Sequence, residues 1–169
     1  MLKLPLSFDE NEWFAVITML FLIFCYIKVP KIISREMTIT IFLFFATLGL
    51  TADIILGVDY PFDFYRIMDT PNLELFDVLV YIVNYSFFGY FFSYIICKWR
   101  MNVLYLLIFI ILWSGLSTLI EWTSVKFNVF SYRDGWKIGF SSITYIFVFS
   151  YCAIIIKLFI HLWKHKVPN

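Results

Sequence analysis

The sequence predicts an all-α fold: an integral membrane bundle of about five transmembrane helices in one domain spanning residues 1–169. Three observations carry this prediction. Apolar residues make up 62 % of the chain and charged residues 15 %, with a mean hydropathy of +0.86. A soluble domain carries about 25 % charge and about 45–50 % apolar residues, and a chain of 20.2 kDa has too much surface for its volume to hide the excess inside a globule. Lipid must solvate the remainder. The apolar residues also fall into five runs, each near the length of about 20 residues that a helix needs to cross the hydrocarbon. Finally, Trp and Tyr gather near the ends of these runs, where amphipathic rings settle at the headgroup level.

The first run extends from about Trp13 to Val29 and stops at Pro30 and Lys31. Its leader is acidic (Asp9, Glu10, Glu12) where a secretory n-region is basic, and no small-residue cleavage site follows, so it reads as a retained span. The second run covers about Met37 to Val58 and is interrupted by Asp53. The third covers about Phe76 to Cys97, the fourth about Asn102 to Trp122, and the fifth about Ile138 to Leu162. None shows the period-two alternation of a barrel strand. No lipidation motif is visible at either end.

Loop charges set an expected orientation. Lys28, Lys31 and Arg35 flank the first connection, Lys98 and Arg100 the third, and Lys157, Lys164 and Lys166 the C-terminal end. The other side collects Asp9, Glu10 and Glu12, then Asp59, Asp63, Asp69, Glu74 and Asp77. The positive-inside rule then places the N-terminus outside and the C-terminus in the cytoplasm. Lys126, Arg133 and Lys137 dissent, surrounding a connection that this arrangement puts outside. Arg66, Arg133 and Lys137 are accordingly expected to pair with embedded acids at that level.

Ionisable groups inside spans are the place to look for chemistry, because each costs about 2.5–3.5 kcal/mol on insertion scales. Asp53, Asp77 and Glu121 all fall toward the outer ends of their helices. Ser114, Ser117, Thr118 and Glu121 share one helix face, with Gly115 beside them to permit close helix approach. Asp53 sits between Gly49 and Gly57 at helical spacing, a pattern that suits tight packing against a neighbour. Asp77, Tyr81, Asn84, Tyr85 and Phe88 form a third stripe, with Asp77 favoured by the helix dipole. Asn84 needs a partner, and Ser141, Ser142, Thr144 and Tyr145 of the fifth span are candidates. The expected polar site is therefore Asp53, Asp77, Asn84, Ser117 and Glu121, against the plainer reading of each as helix packing.

Other chemistries find little support. Cys25, Cys97 and Cys152 lie within spans and read as buried free thiols. His161 and His165 stand one turn apart, but Trp163, Lys164 and Lys166 around them point to an interfacial anchor, and no metal is expected. There is no phosphate-binding Gly-rich loop, nucleophile elbow, zincin helix or Cys-x-x-Cys pair, and no cofactor is expected. The net charge of +1 gives no reason to expect nucleic acid. The expected partners are the lipid bilayer and either a second copy of the chain or other membrane proteins.

Several short motifs occur in a familiar order. Asp59-Tyr60-Pro61-Phe62-Asp63 follows the second span, an aromatic third span leads to Lys98-Trp99-Arg100, the fourth span ends in Glu121-Trp122, and Trp136 introduces the fifth. Over roughly residues 37–166 the chain resembles a group of small multi-pass membrane proteins of spore-forming, low-GC Gram-positive bacteria. One Trp stands before the fifth span where relatives often show two. The resemblance implies fold and a bacterial cell membrane, and carries no reaction. Three functions are compatible with these features: a non-enzymatic accessory, sensor or envelope-associated protein; a small transporter or ion-pathway subunit with an outward-facing acidic site; or a membrane enzyme acting on a lipid head group, with Glu121 and Asp77 as acid–base groups.

Overall fold

A computed structural model describes residues 8–57, 62–67, 75–133 and 135–164. Five helices are long and apolar enough to cross a membrane. Helix α1 (Glu10–Lys28) is followed by α2 (Arg35–Gly57), and both pack on the third span. The third span is composite: α3 (Leu75–Val80), a π-helical turn (Tyr81–Tyr85) and α4 (Ser86–Trp99). Then come α5 (Val103–Lys126) and α6 (Ile138–Lys164). The expected spans hold, with α1 and α5 beginning or ending a turn beyond the apolar runs.

Local signals explain those ends. Asp9 caps α1, and the Asp9 backbone N–H donates to Glu12 Oε2 at 3.0 Å, so polar residues start a helix that hydropathy alone begins later. Val29 turns extended before Pro30, as steric clash with a following proline ring requires. Arg100 takes the left-handed conformation (φ 43°) after α4, and Asn102 then caps α5 by accepting from Tyr105 N–H at 3.0 Å. On the basic side, Lys31 donates to the Tyr26 carbonyl and lies over the Tyr26 ring.

The third span is the hub. Its apolar window is 44 % buried, against 22 % for each of the others, so it is the helix the rest pack around. Tyr90 and Phe92 are fully buried with Ile41, Cys152 and Ile156. Phe92 stacks on Phe109 of α5 at 5.3 Å and meets Phe149 of α6 at 5.1 Å. Gly89 lets α2 approach closely, since a Cβ there would lie 2.0 Å from Phe45 Cγ. The outward faces of α1 (Ile17, Leu20, Phe21, Phe24) and α5 (Leu104, Ile108, Ile111, Leu112) are exposed and suited to lipid.

One element escapes a hydropathy reading. The connection after α2 contains β1 (Tyr65–Ile67), and the connection after α5 contains β2 (Phe130–Tyr132). They pair antiparallel, with Tyr65 opposite Tyr132, Arg66 opposite Ser131 and Ile67 opposite Phe130. Arg133 N–H donates to the Phe64 carbonyl at 2.8 Å and extends the ribbon. This ribbon caps the end of the bundle where α1 begins, with Ile67, Phe130 and Val129 packed against Ala15 and Phe14.

Candidate functional site

The embedded acids lie beneath this cap. Asp53 is 5 % exposed near the end of α2, Asp77 5 % in the first turn of α3, and Glu121 8 % near the end of α5. Each of the first and last is held by hydroxyl donors from two directions, one of them the ribbon. Tyr65 of β1 donates to Asp53 Oδ1 at 2.5 Å, and Tyr85 of the π turn donates to Oδ2 at 3.3 Å. Tyr132 of β2 and Ser141 of α6 both donate to Glu121 Oε1 at 2.6 Å, while Tyr145 of α6 donates to Oε2 at 2.6 Å. Ser141 is itself held by Trp136 Nε1–H at 2.9 Å. Charge-assisted bonds of this kind are about twice as strong as neutral ones.

The glycines flanking Asp53 explain how the donors reach it. A Cβ on Gly49 would lie 2.4 Å from Tyr85 Cδ1, and one on Gly57 would lie 2.8 Å from Tyr65 Cε2. The two glycines therefore seat the two tyrosine rings whose hydroxyls meet the carboxylate between them. The expected tight packing is present, and it is packing against rings.

The two clusters are neighbours. Asp53 and Glu121 are within electrostatic reach of each other. Asp77 acts on Tyr81 and Tyr85, and both of these face Asp53. Burial and the adjacent Asp53 carboxylate push the Tyr65 phenol above its ordinary range, and burial with the Glu121 hydrogen bond does the same for Tyr132. Both ribbon tyrosines thus stay neutral donors at physiological pH.

Other expectations need correction. Arg133 forms its ion pair with Asp63 at 2.9 Å, across the two cap loops, and not with an embedded acid. Lys137 is exposed. Arg66 follows Tyr65 on the strand, and side-chain alternation turns it away from Asp53; its Nε is buried without a partner. No described cation lies within ion-pair distance of Asp53 or Glu121. The reason is geometric: the short ribbon interposes tyrosines where long cationic side chains were expected.

Asn84 donates to the Ala15 carbonyl of α1 at 3.5 Å and not to α6. The α6 hydroxyls are used elsewhere, Ser141 and Tyr145 on Glu121 and Thr118 bonded to Ser142 at 3.2 Å, while Thr144 returns to its own helix. Ser117 is buried on the expected stripe but bonds the Trp113 carbonyl of its own helix at 2.9 Å. Gly115 faces open space, and a Cβ added there would meet nothing within 4 Å, so it does not mediate helix approach within the chain. The thiols are free, as expected, but of the three expected to be buried only Cys152 is, Cys25 and Cys97 being half-buried.

Sequence reasoning missed Asn11 and Glu12, which are 1 % and 0 % exposed at the start of α1. The readable signal was the Asp9-to-Glu12 capping spacing. It also missed Tyr65 and Tyr132, whose role depends on a pairing between distant loops. Asp59, Tyr60, Pro61, Asp69, Glu74, His165 and Lys166 lie outside the described residues. Among the described residues no three His, Cys, Asp or Glu side chains are grouped to hold a metal ion. No protein-family model, curated protein or solved structure matches the chain, so the site is read from its own geometry.

Proposed function

We propose that this chain is a non-enzymatic membrane protein, an accessory, sensor or envelope-associated component of a bacterial cell membrane, with its N-terminus outside and its C-terminus in the cytoplasm. One observation carries the reading. Both oxygens of Asp53 and both of Glu121 accept from hydroxyls of the same chain, and each acid ties a ribbon strand to a helix. Acids engaged in this way hold the cap in place. The acidic N-terminal side and the basic Lys28, Lys31, Lys98 and Arg100 side support the orientation. Its partners are lipid and other membrane proteins or a second copy.

A small transporter or ion-pathway subunit is the second reading. It is favoured by the electrostatic link between Asp53 and Glu121 and by the π turn beside them, a distortion frequent at functional sites. Glu121→Gln separates the two. The amide offers one acceptor oxygen in place of two, so loss of hydrogen bonds to a charged group lowers stability by about 1.5–3 kcal/mol. The first reading expects a lower thermal midpoint and lower abundance, with any ion flux in proteoliposomes unchanged. Flux abolished at unchanged protein level overturns it in favour of the second.

A further inference from the structure

We propose that the β1–β2 ribbon is a proton-coupled strap: Asp53 takes up a proton from the aqueous side as the pH falls, and the ribbon then seats more firmly over the acids. This rests on the reading that Asp53 and Glu121 hold the cap, and names what regulates that hold. Tyr65 and Tyr132 stand directly opposite each other on the ribbon, so both rings leave the same face. Their hydroxyls end on Asp53 at 2.5 Å and on Glu121 at 2.6 Å. The register therefore gathers two carboxylates, 5 % and 8 % exposed, under one pair of rings. The groups bonded to them are hydroxyls, from Tyr65 and Tyr85 on Asp53 and from Tyr132, Ser141 and Tyr145 on Glu121. No described cation lies within ion-pair distance of either acid. Two like charges under a cover that keeps water out, with no counter-ion, are relieved by one proton.

Hydrogen bonding selects Asp53 to carry it. Glu121 accepts three bonds of 2.6 Å, the length of strong contacts to a carboxylate, and these favour its ionised form. Asp53 accepts one short bond, while the Tyr85 hydroxyl stands 3.3 Å from Oδ2, longer than the usual contact between a hydroxyl and an oxygen. A proton on Oδ2 turns that contact round: the carboxyl donates and the Tyr85 hydroxyl accepts. The groups facing Asp53 are Tyr65 from β1, Tyr81 and Tyr85 from the π turn, Glu121 from α5 and Tyr145 from α6, with Asp77 of α3 acting on the π-turn phenols. Phenols keep their protons below about pH 10, so a carboxyl is the group that titrates here in mild acid. Lifting the ribbon lets water reach the acids and favours their ionised form. The seated state thus binds more protons than the lifted one, so falling pH seats the ribbon and rising pH releases it.

The test uses the full chain purified in detergent and follows amide hydrogen exchange by mass spectrometry in peptides covering β1 and β2. Exchange reports local opening directly, and each rate is corrected for the intrinsic pH dependence of exchange. From about pH 8 to about pH 5 the protection of the ribbon is expected to rise, by up to about tenfold per pH unit where one proton is taken up. Asp53→Asn mimics the protonated acid: its amide oxygen can accept from Tyr65 while its N–H donates to Tyr85. Its ribbon is expected to be at least as protected at about pH 8 as that of the unaltered chain at about pH 5, and to change little with pH. Protection in the unaltered chain that stays flat or falls on acidification overturns the proposal. So does an Asp53→Asn chain that keeps the pH dependence, or that loses protection or fails to fold at both ends of the range. Loss at both ends leaves Asp53 as a plain tie of the cap, so the reading above survives it; that reading fails on the Glu121→Gln flux result instead.

Discussion

Gly49→Ala tests whether the Asp53 cluster depends on a glycine that seats a ring. The added Cβ would stand 2.4 Å from Tyr85 Cδ1 and 2.9 Å from Cε1 and Cγ. Carbon atoms pack best at about 3.5–4.0 Å, so the ring must retreat by roughly 1 Å. It cannot do so freely, because its hydroxyl is bonded to Asp53 at 3.3 Å, its ring lies 5.5 Å from that of Tyr81, and Asp53 is also fixed by Tyr65. Overpacking of this kind costs about 1–3 kcal/mol. Loss of the Tyr85 hydrogen bond to a charged group adds about 1.5 kcal/mol, the low end of the range because the bond is long. The better helix propensity of Ala returns about 1 kcal/mol. The net expectation is a loss of about 1.5–3.5 kcal/mol. Denaturant or thermal unfolding in detergent measures it, within a double-mutant cycle that includes Tyr85→Leu. In the Leu background the cost of Gly49→Ala should fall by at least half. Full stability of Gly49→Ala, or an undiminished cost beside Leu, would refute the ring-seat argument.

Two further outcomes follow from the corrected contacts. Gly115 is exposed and meets nothing within 4 Å, so Gly115→Ala should stabilise α5 by up to about 1 kcal/mol through helix propensity; a destabilised protein in the same unfolding assay would instead expose a partner helix on that face. The Arg133–Asp63 pair is partly exposed, at 36 % and 25 %, and is worth about 0–1 kcal/mol. Arg133→Glu should therefore leave a C-terminal reporter on the same side of the membrane as in the unaltered chain, and a C-terminus moved to the other side would show that this residue helps set orientation.

The spans were legible because hydrocarbon imposes a length and a composition on any helix that crosses it. Ile17 or Leu112 needs no tertiary partner to be placed in lipid. The flanking glycines of Asp53 were legible as a packing pattern for a related reason: a missing Cβ at helical spacing signals close approach, whatever approaches. The π turn was not legible. Tyr81, Asn84 and Tyr85 fit an α-helical stripe equally well, and nothing in their spacing marks the extra residue of that turn.

The sequence by itself determined five apolar helices, the side of the bundle on which acids collect, and the candidate acids Asp53, Asp77 and Glu121. These follow from composition and from spacing within single helices. Only the tertiary structure decided what the acids touch. Pairing of Tyr65 with Tyr132 joins loops 67 residues apart, and that three-residue ribbon lowers neutral phenols onto Asp53 and Glu121 where basic side chains stood ready in the sequence. Strands so short carry almost no pattern of their own. Their register is set by the helices that hold their ends, which is information no single segment contains.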